Sequence, residues 1–215
     1  MTQPSACLLR MRTMAIKAVV FDVGSVLIDW DPKYLYRKLM SESDMDIFLR
    51  DICPYEWNLE MDRRNDLKWA DYVEARAKLF PDHADHIRAY DRRWPEMVSG
   101  PIQGTVDIKA QLRAGGVPLY AITNYSQEKW ALSQTLWPFL AEFDGVICSG
   151  QEGVMKPDPA IYHLLYDRFA LNPSELIFID DRAENIEAAE KTGMKGHIFK
   201  DPDILRAELT SLSLL

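Results

Sequence analysis

Five short apolar runs, separated by longer stretches of helical periodicity, limit this chain to few architectures. The runs are Ile16–Phe21 (IKAVVF), Val117–Ile122 (VPLYAI), Gly145–Cys148 (GVIC), Leu176–Ile179 (LIFI) and Gly196–Phe199 (GHIF). Several are apolar almost throughout instead of alternating, which is how strands read when helices cover both faces of a parallel sheet. Helical patterns lie near 105–114, 126–140, 159–170 and 184–192, with a terminal one near 202–211. The 184–192 pattern is well punctuated. Asp180 and Asp181 precede it, and Gly193 follows Lys191-Thr192 as a C′ glycine. The alternation predicts an α/β fold with a Rossmann-like three-layer core and a parallel sheet of about five strands.

The stretch from Pro32 to Met97 breaks the alternation. It has no strand-like run and a helical pattern rich in Trp, Tyr, Arg and Asp. Roughly 65 residues of helix after the first strand predict a cap inserted into the core. The expected division is a core of 15–29 and 101–215, a helical cap of 30–100, and a flexible extension of 1–14. Pro95, Gly100, Pro101 and Gly104 form the expected return hinge. Met11 and Met14 are alternatives to Met1 as the start.

Charge and composition narrow the functions. With 25 basic and 33 acidic side chains the net charge is −8, against the basic face that nucleic-acid binding requires. Cys7, Cys53 and Cys148 are too few and too scattered for a disulfide framework or a zinc site. His83, His86, His163 and His197 are dispersed, so a His metal site or a Ser-His-Asp triad has poor odds. No apolar run approaches the length of a membrane span, and the start of the chain lacks a signal-peptide core. A soluble, cytoplasmic monomer or homodimer without nucleic-acid or membrane partners is expected.

Ligands of open parallel sheets bind beyond the carboxyl ends of the strands. Asp22 stands after the first run, Thr123-Asn124 at the end of the second, Lys156 in the loop after the third, and Asp180-Asp181 after the fourth. Carboxylates brought together repel one another and need Mg²⁺ or a shared proton. A lysine and a hydroxyl aimed at the same point suit phosphoryl oxygens. Asp22 is then placed to attack phosphorus and form an aspartyl-phosphate. The residue types suggest Mg²⁺-assisted phosphoryl transfer on a small phosphorylated substrate.

Over about residues 15–200 the sequence resembles the haloacid dehalogenase-like hydrolases. The resemblance rests on Phe21-Asp22-Val23-Gly24-Ser25-Val26, Ile122-Thr123-Asn124, Lys156-Pro157-Asp158-Pro159-Ala160-Ile161-Tyr162 and Phe178-Ile179-Asp180-Asp181-Arg182-Ala183-Glu184-Asn185-Ile186, in that order. It implies Asp22 as nucleophile, Thr123 as a phosphoryl hydrogen-bond donor and Lys156 as the phosphate-orienting cation, with Asn124 beside them as a further substrate contact. It also implies Mg²⁺ held by Asp22, the Gly24 carbonyl and Asp181, with Asp180 in support. The Trp57-Asn58…Asp62-Arg63 segment resembles bacterial sugar-1-phosphate phosphatases, which makes Trp57 and Asp62 expected substrate contacts. Trp57 also reads, with Trp69, Tyr72 and Trp94, as apolar core of the cap.

One position departs from the pattern. Phosphatases of that family usually carry an acid two residues after the nucleophile, where this chain has Gly24. A cap residue can take over that role, with Asp29 and Asp62 as the residues to test. Two rival readings stay open. One is a 2-haloacid dehalogenase using Asp22 without metal, against which the Asp180-Asp181 pair speaks; the other is a non-catalytic binding module.

Overall fold

Side chains along β1 (Ala18–Phe21) divide between two faces. Val19 and Phe21 belong to one apolar cluster, Ala18 and Val20 to another, as the two-residue period of a strand requires. The chain continues with β2 (Ile28–Trp30) and then α1 (Lys33–Tyr36), α2 (Glu42–Ile47), α3 (Tyr55–Arg63), α4 (Trp69–Leu79) and α5 (Ala84–Arg92). Next come β3 (Val98–Pro101), α6 (Gln103–Ala114), β4 (Leu119–Thr123), α7 (Gln127–Leu136), β5 (Gly145–Cys148) and α8 (Ser149–Glu152). The last elements are α9 (Pro159–Phe169), β6 (Leu176–Asp180), α10 (Ala183–Lys191), β7 (Lys195–Ile198) and α11 (Pro202–Ser211). This is a computed structural model that describes residues 15–64 and 66–215. The expected N-terminal extension, Cys7 and the alternative starts at Met1, Met11 and Met14 lie outside the described residues.

Five strands form one parallel sheet in the order β5-β4-β1-β6-β7. On one face Val19, Phe21, Leu119, Ala121, Ile177 and Ile179 cluster with Ile108 and Leu112 of α6 and Leu205 and Leu209 of α11. On the other, Ala18, Val20, Ile122, Leu176 and Phe178 cluster with α9 and α10 through Ile161, Leu165, Ile186 and Ala189. Each fully buried aliphatic side chain contributes roughly 1.5–3 kcal/mol. Helices on both faces make the three-layer α/β core expected from the apolar runs.

Three details differ from the sequence reading. The 126–140 pattern is not one helix: α7 ends at Leu136, and Pro138 opens a separate 3₁₀ turn. Proline lacks the N–H an α-helix needs and its ring clashes with the preceding turn. A second sheet was not legible at all. β2 and β3 pair antiparallel, Ile28 with Pro101 and Asp29 with Gly100. This ribbon carries the chain out of the core and back, and it contains the expected hinge residues Gly100 and Pro101. Gly104 is no hinge. It lies in α6, where a Cβ would come 2.7 Å from the Pro202 ring, so glycine there permits close helix packing.

Between the two ribbon strands the described residues form helices and no strand. Tyr36 packs its ring 4.7 Å from Phe48, and Trp57 stacks on Tyr72 at 5.8 Å and meets Tyr90 edge-on. Trp57, Tyr90 and Trp94 of this helical segment share one continuous cluster with Phe21, Tyr125 and Trp130. Among the described residues, no helix is long and apolar enough to cross a membrane.

Candidate active site

The carboxyl ends of β1, β4 and β6 meet at the floor of a cavity of about 560 Å³, with Asp22, Thr123, Lys156 and Asp181 in its wall. Asp22 follows Phe21 immediately, and its N–H donates to the Ile179 carbonyl at 2.8 Å. The central strand is thereby tied to β6 at the point where the two carboxylates face. The Lys156 ammonium sits between them, 2.8 Å from Asp22 Oδ1 and 2.7 Å from Asp180 Oδ2. Asp180 is fully buried and has further donors. Asn185 Nδ2 reaches its two oxygens at 2.9 and 3.0 Å, and the Arg182 N–H donates to Oδ1 at 2.9 Å. Four donor contacts from three residues hold this carboxylate rigid, which in turn fixes Lys156.

Asn124 contributes through the backbone. Its Nδ2 donates to the Lys156 carbonyl at 3.1 Å and its Oδ1 accepts the Lys156 N–H at 2.9 Å. Both ends of the amide are thus occupied in orienting the lysine, although the residue lines the cavity where substrate contact was expected. Thr123 is 1% exposed and ends β4 at the cavity floor.

Electrostatics at the floor are those of crowded acids. Burial pushes the Asp22 carboxyl up to about 7; Lys156 draws it down, while Asp180 and Asp181 push it higher. Asp181, at the exposed rim, is raised by desolvation within the cleft and then by Asp180. Burial works against charge on Lys156, but Asp180 and Asp22 outweigh it and hold the ammonium above its ordinary value. Asp22, Asp180 and Asp181 each offer a carboxylate oxygen within 4.8 Å of the others. Hard oxygen donors with open positions between them suit Mg²⁺, so these residues fit the ion. Gly24 follows in the β1–β2 loop, bridges to Ile28 and lines the same cavity.

Helix α3 contributes Tyr55, Asn58 and Asp62 to the cavity wall. Asp62 on α3 accepts the Ser126 N–H at 3.0 Å and Asn58 Nδ2 at 2.6 Å, and its carbonyl accepts the Ser149 hydroxyl at 2.7 Å. Asp62 thus ties α3 to the start of α7 and to α8. Burial pushes the Asp62 carboxyl up to about 8, against the Ser126 N–H, Asn58 and Lys129.

A haloacid dehalogenase-like hydrolase family model matches residues 16–193. The chain belongs to this family of hydrolases. A sesquiterpene phosphatase of Aspergillus oryzae is 27% identical over 208 residues, covering 91% of this chain and 96% of that protein. A flavin mononucleotide hydrolase of Arabidopsis thaliana is 32% identical over 120 residues, which are 53% of this chain and 46% of that one. A family enzyme of Bacteroides thetaiotaomicron, solved as a magnesium complex, shares the fold with a TM-score of 0.68 at 19% identity. That match covers 87% of this chain and 95% of the other.

With the family's four motif segments brought to one cavity, the remaining expectations can be located. Trp57 does not reach the cavity. It is 5% exposed, so its expected substrate contact is corrected in favour of packing against Tyr72, Tyr90 and the Arg76 guanidinium. Trp94, read as cap core, is buried and also lines the cavity. Tyr34, Tyr55, Asn58, Lys129 and Arg182 line it as well. Asn58 stands four residues before Asp62, a spacing that puts both on one helix face. Tyr55 shares that face, three residues before Asn58, and Arg182 belongs to the fourth motif segment, whereas Tyr34 and Lys129 come from separate helices and share no local pattern.

Proposed function

We propose that the protein is a Mg²⁺-dependent phosphatase that hydrolyses a small phosphate monoester through an aspartyl-phosphate on Asp22. One observation carries the reading: Asp22 shares a cavity floor with two further carboxylates and a buried lysine. Halide displacement gives no role to Asp180 and Asp181 together, whereas a phosphate dianion needs the positive charge that a cation among these carboxylates supplies. Phosphatase relatives point the same way.

Asp22 attacks phosphorus, and Lys156 offsets charge between the nucleophile and the phosphoryl oxygens. Thr123 donates its hydroxyl to the phosphoryl group. Asp180, locked by Asn185 and the Arg182 N–H, positions Lys156, and Asn124 sets the backbone from which that lysine reaches in. Asp22, Asp181 and the Gly24 carbonyl would hold Mg²⁺, with Asp180 in support; when bound, the ion screens substrate phosphate from the nucleophile's charge. The helical segment between the ribbon strands is the cap, and it supplies the walls against which the rest of the substrate rests. Tyr34, Tyr55 and Trp94 in those walls, with Trp30 of β2 and Tyr125 after β4 beside them, favour a compact ring or apolar group.

A panel of phosphorylated metabolites, assayed with Mg²⁺ and with chelator and run beside 2-chloropropionate, tests this. Mg²⁺-dependent phosphate release supports it; metal-independent chloride release without phosphatase activity overturns it.

A further inference from the structure

Cleaving an ester P–O bond leaves an alkoxide that needs a proton, and the residues at the cavity floor do not offer one. Lys156 is committed to two carboxylates, and Asp22 and Asp181 belong to the acidic cluster. Among the described residues, three other carboxyls line the cavity: Asp29, Asp31 and Asp62. Asp31 accepts the Lys33 N–H at 2.8 Å, at the start of α1, and Asp29 accepts the Tyr34 hydroxyl at 2.7 Å. Both are half-buried acceptors on the ribbon side. Asp62 differs in place and surroundings. It descends from the cap, is 7% exposed, and lies in the wall of the cavity that Asp22 floors.

Its surroundings keep a proton on it. Burial outweighs the Ser126 N–H, Asn58 and Lys129, so the carboxyl is raised to about 8. Lys129 is itself paired with Asp91 at 2.5 Å. The remaining titratable groups that feel Asp62 are Tyr55 on its own helix, Tyr90 on α5, Tyr125 after β4 and Cys148 at the end of β5. Burial raises all four, so they stay neutral around it.

We infer that Asp62 is the general acid that protonates the leaving oxygen and then the base that activates water, resting on the phosphatase reading above. In the first step the Asp22 carboxylate forms a bond to phosphorus. The ester P–O bond breaks with its electron pair on oxygen, and that oxygen takes the Asp62 proton to leave as an alcohol. In the second step the Asp62 carboxylate takes a proton from water as its oxygen bonds to phosphorus. The acyl-phosphate bond then breaks, returning Asp22 as carboxylate, Asp62 as acid, and phosphate. General acid catalysis is worth roughly 10²–10⁴-fold where the leaving oxygen is basic and little where it leaves readily as an anion.

The test is kcat/KM with Mg²⁺ over phosphate monoesters ranging from acidic phenols to simple alcohols, for the wild type and Asp62→Asn. The amide keeps an acceptor for the Ser126 N–H. We expect a shallow dependence on leaving-group acidity in the wild type and a steep one in the variant. Alkyl phosphates should fall about 10²–10⁴-fold and 4-nitrophenyl phosphate less than about tenfold. The basic limb near pH 8 on alkyl substrates should vanish in the variant. An equal loss across the series would assign Asp62 to cap docking only and overturn the proposal. A steep slope already present in the wild type would do the same, and it needs no variant to fold. Wild-type turnover of 4-nitrophenyl phosphate tests the phosphatase reading separately, so a steep slope alongside that turnover defeats this inference alone.

Discussion

Lys156, with 1% of its side chain exposed, holds one positive charge between Asp22 and Asp180. Lys156→Met leaves two buried carboxylates without their cation, and breaking a buried pair in this way costs about 3–5 kcal/mol. The denaturation midpoint should fall accordingly and recover in part with Mg²⁺, while turnover stays lost. Asp22→Asn keeps the shape of the side chain but cannot attack. It should abolish turnover with an unchanged circular-dichroism spectrum; a folded variant retaining more than a small fraction of the rate would remove Asp22 from the mechanism. Asp62 sets a pH dependence of stability. Its folded value, about 8, lies above the ordinary 3.8, so its stabilising contribution is complete below about 4 and is lost as pH rises through 8. Between those two values the slope approaches about 1.4 kcal/mol per pH unit, and above about 8 it levels off. Midpoints measured from pH 5 to 8 should therefore drop more steeply in the wild type than in Asp62→Asn, with the two slopes converging above pH 8. At this scale the sequence was most legible where a motif surrounds the residue: Asp22, Thr123, Lys156, Asp180 and Asp181 all stand at the expected floor. Tyr34 and Lys129 were not legible, because only the docking of α1 and α7 around one cavity brings them together.

Gly150 shows how an element constrains the site beneath it. A Cβ on this residue of α8 would come 2.6 Å from the Gln127 nitrogen and 2.7 Å from the Tyr125 carbonyl, which are backbone atoms without freedom to rotate away. Gly150→Ala should cost about 1–3 kcal/mol and lower kcat/KM, since the loop it displaces carries the Ser126 N–H to Asp62. Gly24→Ala makes the contrast: its Cβ meets nothing within 4 Å, and the midpoint should stay within about 0.5 kcal/mol. Comparing the two midpoints checks both. Strands of the large sheet were readable because burial on both faces makes each an unbroken apolar run. The β2–β3 ribbon was not, being three and four residues long with Gly100 and Pro101 in one strand. Its pairing is a product of the cap's exit and return lying side by side, which no local pattern records. The overlong helix near 126–140 failed for the opposite reason, as apolar periodicity runs on through Trp137 while Pro138 ends the hydrogen bonding.

In the molecule as a whole, one apolar cluster spans cap and core, and the cavity lies within that junction. Ligands that bridge both sides bind the folded state only, so Mg²⁺ with phosphate or vanadate should raise the melting temperature more than either alone. Saturation at a hundred times Kd corresponds to about 2.7 kcal/mol; a melting temperature indifferent to both would place the anion site elsewhere. The strand order β5-β4-β1-β6-β7 has a consequence for synthesis on the ribosome. The centre of the sheet is made first, yet neither neighbour of β1 exists when it emerges. β4 follows roughly a hundred residues later, a delay of about 5–20 s at ordinary translation rates. During that interval the nascent chain carries Ala-Val-Val-Phe unpaired, while helices α4 and α5, consecutive and in mutual contact, already have their partners. The segment between the ribbon strands can therefore fold while β1 waits, and the exposed hydrophobic strand is what a chaperone would meet.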